Sequence, residues 1–162
     1  MKALPKKYTF LIKAFLSLFG IGFIPFIPGS LASALTTAGW IFFLPYLSSH
    51  ITVLIPLTFL IFIISFVSTV LIQKFLIRPV DKSWIVIDEL VGMLVSLTPT
   101  IFLSTPTMVI FAFVYFRLFD IIKPSFIKQI DALHTPASVV LDDLAAGILS
   151  AASVILTSLL LS

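Results

Sequence analysis

From Ile51 to Gln73 the chain carries no charged side chain, and a run of that length constrains the fold more than any single motif does. An α-helix needs about 20 mainly apolar residues to cross a bilayer, so this segment reads as a membrane crossing. Runs from Leu31 to Leu47, Ile85 to Leu103, Thr107 to Ile122 and about Val139 to Leu161 read the same way. Composition agrees, because 60% of the residues are hydrophobic and 10% are charged, against about 25% charged in a soluble domain. The expected fold is all-α: a polytopic membrane helical bundle of about five spans, built as a single integral-membrane domain over residues 1–162.

The first apolar stretch is different. Phe10 to Ile27 carries Lys13, Gly20, Gly22 and Pro25 and runs into Pro28-Gly29-Ser30, which disfavours one straight crossing and predicts an interfacial or re-entrant helix. With Lys2, Lys6 and Lys7 before it, the segment resembles the charged start of a signal peptide. No small-residue cleavage site precedes the Pro25 to Gly29 break, so it is expected to be retained. Pro45 and Ser48-Ser49-His50 are expected to close the span that follows.

Ser104-Thr105-Pro106 makes a helical hairpin of the two middle runs. At about 1.5 Å per residue its arms cover about 24 Å from Glu89 to Thr105 and about 23 Å from Thr105 to Asp120, which returns Asp88, Glu89 and Asp120 to one membrane face. An N-terminus on the inside then puts the Lys and Arg residues of the N-terminus, of the 74–82 loop and of 117–128 all on the cytoplasmic side. A polar connector with Lys128, Asp131 and His134 leads into the last span, where Asp142 and Asp143 are expected in the first turn. No internal repeat is evident.

The net charge of +3 does not imply a nucleic-acid partner, since there is no basic stripe with interleaved base-stacking aromatics. The absence of cysteine excludes disulfides, thiolate metal sites and a cysteine nucleophile.

Five of the seven acidic residues fall in three clusters within or beside apolar runs: Asp88 with Glu89, Asp120, and Asp142 with Asp143. A carboxylate in hydrocarbon costs several kcal/mol unless it is paired, hydrated or holding a cation, so these positions are candidate functional sites. Carboxylates without cysteine suit a hard divalent cation such as Mg²⁺. Each cluster alone could simply complement a helix macrodipole. Three such caps on one side of one small bundle make a poorer account than a shared site.

Adjacent acids on a helix point about 100° apart, so Asp88 and Glu89 serve different neighbours. Arg117, Asp120 and Lys123 are spaced i, i+3, i+6 and are expected on one ridge. That ridge is either a salt-bridge ladder with interface anchors, or a cation ligand in Asp120 flanked by phosphate-binding Arg117 and Lys123. Gly92 with Ser96, and Gly147 with Ala151, let helices approach closely. Ser30 or Ser33 is expected to cap a helix whose free N–H groups face an anion, the alternative being a plain helix-initiating turn. His50 and His134 are expected in polar loops, His134 on the side where it could assist proton transfer.

As a set, GIGFIPFIPGSLAS from Gly20 to Ser33, IDELVG from Ile87 to Gly92, FRLFDIIKP from Phe116 to Pro124 and LDDLAAG from Leu141 to Gly147 resemble the phosphatidylglycerophosphatase A family. The resemblance implies a bacterial inner-membrane, Mg²⁺-dependent lipid phosphatase that converts phosphatidylglycerophosphate to phosphatidylglycerol and phosphate. The matching positions are Asp88, Glu89, Arg117, Asp120, Lys123, Asp142 and Asp143. Ser30 stands where the family has threonine, Ala32 replaces a glycine, Thr135-Pro136-Ala137-Ser138 replaces a glycine-rich stretch, and Asp131-Ala132 replaces an Asp-Arg pair.

The expected chemistry is phosphomonoester hydrolysis at the cytoplasmic interface. Asp88, Glu89, Asp120, Asp142 and Asp143 would act as catalytic acids and hold one or two Mg²⁺, while Ser30, Arg117 and Lys123 would bind the phosphate. An aspartyl-phosphate route is an alternative to direct attack by water. Partners are expected to be the lipid substrate and membrane lipids, with no obligate protein partner. The rival from another class is a cation-coupled transporter, which would place its acids near the midplane and often show a repeat. A lipid synthase that transfers a phosphoalcohol would need a DGxxAR-type motif, and the chain has none.

Overall fold

Apolar runs interrupted by proline, glycine and polar turns fold here as a stack of helices of unequal length. The computed structural model describes residues 6–75, 84–103, 106–135 and 137–161. Lys2, Arg78, Lys82, Ser83, Ser104, Thr105 and Pro136, on which parts of the topological reading rest, lie outside the described residues. Seven α-helices and no strand occur among the described residues, which bears out the all-α class. They are α1 (Lys6–Leu16), α2 (Pro28–Ser49), α3 (Ile51–Phe75), α4 (Ile87–Leu97), α5 (Thr107–Ile122), α6 (Ser125–Asp131) and α7 (Ser138–Leu161).

Among the described residues, α7 alone is long and apolar enough to cross a membrane on length and composition. Within α3 the corresponding apolar stretch is the shorter Pro56–Val67. The outer surface is nonetheless oily: Phe42, Phe59, Ile110, Leu159 and Leu160 are each more than 60% exposed. A soluble monomer rarely leaves so much contiguous apolar surface to water.

Three boundaries differ from the sequence reading, each for a local reason, and one agrees with it. The N-terminal apolar stretch is broken as expected: α1 stops at Leu16 and a 3-10 turn follows at Ile21–Phe23. Next, α2 does not close at Pro45 but runs on to Ser49, because proline removes only one ladder bond and His50 caps the end. His50 Nδ1 lies 2.9 Å from the Tyr46 carbonyl, and the two rings stack. The first hairpin arm is α-helical for only 11 residues and finishes as a 3-10 turn at Thr98–Ile101, since Pro99 has no N–H for the α ladder. Because a 3-10 turn rises about 2.0 Å per residue, this arm still spans about 24 Å, equal to the 16-residue α5. Finally, the polar connector contains a helix of its own, α6.

The core forms where α4, α5 and α7 meet, around Met93, Leu97, Met108, Ala112, Phe116 and Val154, with Trp40 of α2 against them. Trp40 Nε1 donates to Thr100 Oγ1 at 3.0 Å. Deep in the bundle, the Ser96 and Ser150 Oγ atoms are 2.6 Å apart and lie 2.9 and 3.2 Å from the Ala112 carbonyl oxygen, so two hydroxyl protons are shared among three contacts. A second cluster of Leu16, Ile85 and Ile87 ties α1 to the start of α4, and the Val86 N–H donates to the Leu16 carbonyl at 2.9 Å.

The tightest crossing sets the site. A Cβ on Gly147 would strike the Gly92 carbonyl, and one on Gly92 would meet the Asp143 carbonyl and the Phe116 ring. Both glycines therefore allow α4 and α7 to touch through their backbones. Asp88 and Asp143 each lie four residues before one of these glycines, one turn up on the same helix faces. Hence the crossing turns both carboxylates toward each other.

Candidate functional site

The N-terminal parts of α2, α4 and α7 and the C-terminal part of α5 bring their polar residues to one end of the bundle. There a cavity of about 160 Å³ is lined by Asp88, Glu89, Asp120, Lys123, Asp131, Asp142 and Asp143, with Ile85 and Val139 as apolar wall. All five sequence-predicted acids and Lys123 thus meet in one place. Asp88, Asp142 and Asp143 are buried, at 5%, 5% and 6% exposure. Asp142 and Asp143 are the fifth and sixth residues of α7, beyond its first turn, which corrects the expected placement. A helix-end acid that merely complements the dipole has no reason to sit that deep.

Asp88 and Glu89 face different neighbouring helices, yet their carboxylates still converge. Asp88 is turned to α7, whereas Glu89 faces α2, where a Cβ on Gly29 would strike its carboxylate. Gly29 thereby admits Glu89 beside the start of α2. The Asp88, Glu89 and Asp143 carboxylates bring oxygens within 4.8 Å of one another. No Lys or Arg nitrogen forms a salt bridge with these three among the described residues.

Arg117 stands next to this group. Its Nη1 donates to Asp120 Oδ2 at 2.6 Å and its Nη2 to Ser30 Oγ at 3.0 Å, joining α5 to α2. Ser30 is therefore a partner of Arg117 and not a cap. Ser33 is not a cap either, since its hydroxyl donates back to the Gly29 carbonyl inside the helix. The helix starts one turn earlier than a Ser30 cap requires, with Pro28 at its first position and the Leu31 N–H bonded to the Ile27 carbonyl.

Lys123 departs from the expected ridge. It is the C-cap of α5 with φ 48°, ψ 75°, and its Nζ reaches Asp142 Oδ2 at 2.6 Å and Asp131 Oδ1 at 3.1 Å. Residues before proline avoid the right-handed helical region, so Pro124 turns Lys123 away from Arg117 and Asp120. Burial alone would lower the ammonium pKa, but the Asp142 and Asp131 carboxylates outweigh it and hold the group above its ordinary value.

Asp131, expected in a polar connector, lines the cavity. Its only signal was an acid eight residues after Lys123, a spacing that means nothing until α6 folds the chain back. His134 is exposed and does not line the cavity.

Three buried polar atoms lack hydrogen-bond partners here: Glu89 Oε2, Asp142 Oδ1 and Arg117 Nε. Orphaned buried carboxylate oxygens in a polar cavity fit a cation, and a hard oxygen-only donor set fits Mg²⁺ among cations.

The model of the family described as Phosphatidylglycerophosphatase A matches residues 14–158. The chain belongs to that family. Its relatives include a Bacteroides thetaiotaomicron protein named "Putative phosphatidylinositol-3-phosphatase", 32% identical over 142 residues that cover 82% of this chain and 84% of the relative. No solved structure gives a significant match. The phosphatidylglycerophosphatase A match spans every cavity-lining residue, from Ile85 to Asp143.

Proposed function

We propose that this chain is a Mg²⁺-dependent lipid phosphatase that hydrolyses phosphatidylglycerophosphate to phosphatidylglycerol and inorganic phosphate, as a step of phospholipid biosynthesis. The observation that carries the reading is the meeting of five sequence-predicted acids with Lys123 in one cavity at the end of an apolar bundle, with Arg117 paired to one of those acids, Asp120. A lipid phosphate can reach such an end while its acyl chains stay in the bilayer. We read the bundle as a multi-pass protein of the bacterial inner membrane, with about five spans, the N-terminus inside and the cavity open to the cytoplasm. The equal hairpin arms and the distribution of Lys and Arg support that topology.

Asp88, Glu89 and Asp143 would hold the cation, their oxygens being convergent and without a basic partner. Bound there, a divalent ion neutralises phosphate charge and lowers the pKa of water. Arg117, already oriented by Asp120 and Ser30, directs its remaining N–H groups at phosphate oxygens. Lys123 has one donor left after its two carboxylates and places a second positive charge on the developing anion. Hydrolysis breaks the P–O bond to the lipid alcohol, adds one water oxygen to phosphorus and returns a proton to the leaving alkoxide.

A transporter is the weaker reading, because the acids cluster at one end of the helices and not at mid-length. The name of the relative raises a phosphoinositide as a second substrate. The test is phosphate release by protein in detergent micelles containing phosphatidylglycerophosphate or phosphatidylinositol 3-phosphate, with and without Mg²⁺, beside Asp88→Asn and Asp142→Asn. We expect Mg²⁺-dependent release, greater from the glycerol lipid, with a loss of 10²-fold or more in each variant, on the order of the effect of removing one transition-state-stabilising group. No Mg²⁺-dependent release from either lipid would sink the phosphatase reading.

A further inference from the structure

The six carboxylates of the cavity are balanced in three different ways. Asp120 is paired with Arg117, Asp142 and Asp131 share Lys123, and Asp88, Glu89 and Asp143 have no basic partner among the described residues. Only the last three bring their oxygens together in the manner of a cation site. Asp142 and Asp143 are consecutive and line the same cavity, so a second ion held by Asp142 would be a close neighbour of the first. Two-metal phosphatases hold their ions about 3.5–4 Å apart, so a shared cavity raises the question of a second ion.

We propose that the cavity takes one divalent cation, at Asp88, Glu89 and Asp143, and that the Lys123 ammonium fills the position of a second ion between Asp142 and Asp131. The inference rests on the phosphatase reading and deepens it.

The geometry is built for this. Lys123 reaches the position as the left-handed C-cap of α5, at φ 48°, with Pro124 barring continuation of the helix through it. Its Nζ then occupies one oxygen of each carboxylate, at 2.6 and 3.1 Å. An ammonium is a compact charge with three donors, and two of them are used here. On Asp142, 5% exposed, the other oxygen Oδ1 is buried with no partner. Asp142 is thus half of a ligand that a divalent ion could complete once the lysine is gone. Asp131 becomes a positioning residue, since it holds Lys123 from the outer side of the cavity.

The test counts ions on the full chain in detergent micelles, using Mn²⁺ by titration calorimetry and electron paramagnetic resonance. The wild type should bind one Mn²⁺ per chain, without the spectrum of a coupled pair. Lys123→Met and Lys123→Gln should bind two and show coupling, whereas Lys123→Arg should stay at one. Asp88→Asn should lose the single ion.

A coupled pair in the wild type overturns the proposal, as does a count of one in folded Lys123→Met and Lys123→Gln. If neither neutral variant folds, the wild-type count together with Lys123→Arg decides. Phosphate release is measured on the same wild-type samples. Two coupled ions with normal release defeat this inference alone, while no metal-dependent release defeats the phosphatase reading beneath it.

Discussion

Gly147→Ala probes the crossing that creates the site. The added Cβ would press on the Gly92 carbonyl oxygen and stand 3.0 Å from both the carbonyl carbon and Cα of Gly92. Carbon–carbon contacts are comfortable from about 3.5 Å, so α7 must withdraw from α4 by at least about 0.5 Å. Overpacking of this kind costs about 1–3 kcal/mol, and the helix preference of alanine returns about 0.5–1 of it. The net loss should be up to about 2.5 kcal/mol, centred near about 1 kcal/mol. One turn up, Asp143 moves away from Asp88 and Glu89, which should weaken the cation site. A misplacement of about 1 Å can cost about 10²-fold in rate, so half of that should cost about tenfold. Gly39→Ala is the control, being helical with nothing within 4 Å of its added Cβ. It should be neutral or stabilise by up to about 1 kcal/mol. Unfolding in mixed SDS micelles gives the stabilities, and Mg²⁺ titration of phosphate release gives the site. Equal stability of the two variants, or an unchanged Mg²⁺ requirement in Gly147→Ala, would refute the reasoning.

The same logic extends to other contacts. Gly29→Ala drives a methyl group into the Glu89 carboxylate, so Mg²⁺ affinity should fall about tenfold with stability lowered by no more than about 1 kcal/mol, since a side-chain end can yield. Ser96→Ala and Ser150→Ala should each cost about 0.5–1.5 kcal/mol and be non-additive, because both serve the Ala112 carbonyl and each other; strict additivity in a double-mutant cycle would count against the network. Lys123 has a raised pKa, so its ion pairs contribute fully below its ordinary value near 10.5 and fade only as pH climbs through the higher folded value. The stability gap between wild type and Lys123→Met should therefore stay constant from about pH 7 to 10, and a gap closing by pH 9 would contradict the clamp. Cysteines at Ser49 and Ser83 should be labelled from opposite sides of the membrane, and same-side labelling would overturn the five-span topology.

What could be read from the sequence was set by cost. Carboxylates beside hydrocarbon mark Asp88, Glu89, Asp120, Asp142 and Asp143 as candidates by their cost, and the equal hairpin arms with the Lys and Arg distribution place them at one end. What was missed was set by local backbone chemistry. Spacing put Lys123 on a ridge with Arg117, yet the proline after it removes the helical conformation the spacing assumed. Pro99 likewise shortened α4, and the tighter 3-10 turn restored the arm length for a reason that residue counting had not used. Asp131 could not be found by pattern, since its role depends on α6 reversing the chain.

The corrections together favour a built site over three helix caps. Had the acids served only the dipoles, Asp142 and Asp143 would lie in the first turn of α7, and Asp88 would have no cause to face Asp143. Instead the deeper turn of α7 meets the first turn of α4 across two glycines that bring their backbones together. The close crossing is costly to leave unexplained, because it forces buried like charges into one another's company with no basic partner among the described residues. The proposed cation would resolve that repulsion, so stability and ion binding should be linked in this protein. Adding Mg²⁺ to the wild type should raise its unfolding free energy by RT ln(1 + [Mg²⁺]/Kd) for one bound ion, and with it the unfolding midpoint, and Asp88→Asn should abolish the shift. An unfolding midpoint indifferent to Mg²⁺ would mean that the carboxylates are neutralised by protons and that the crossing serves packing alone.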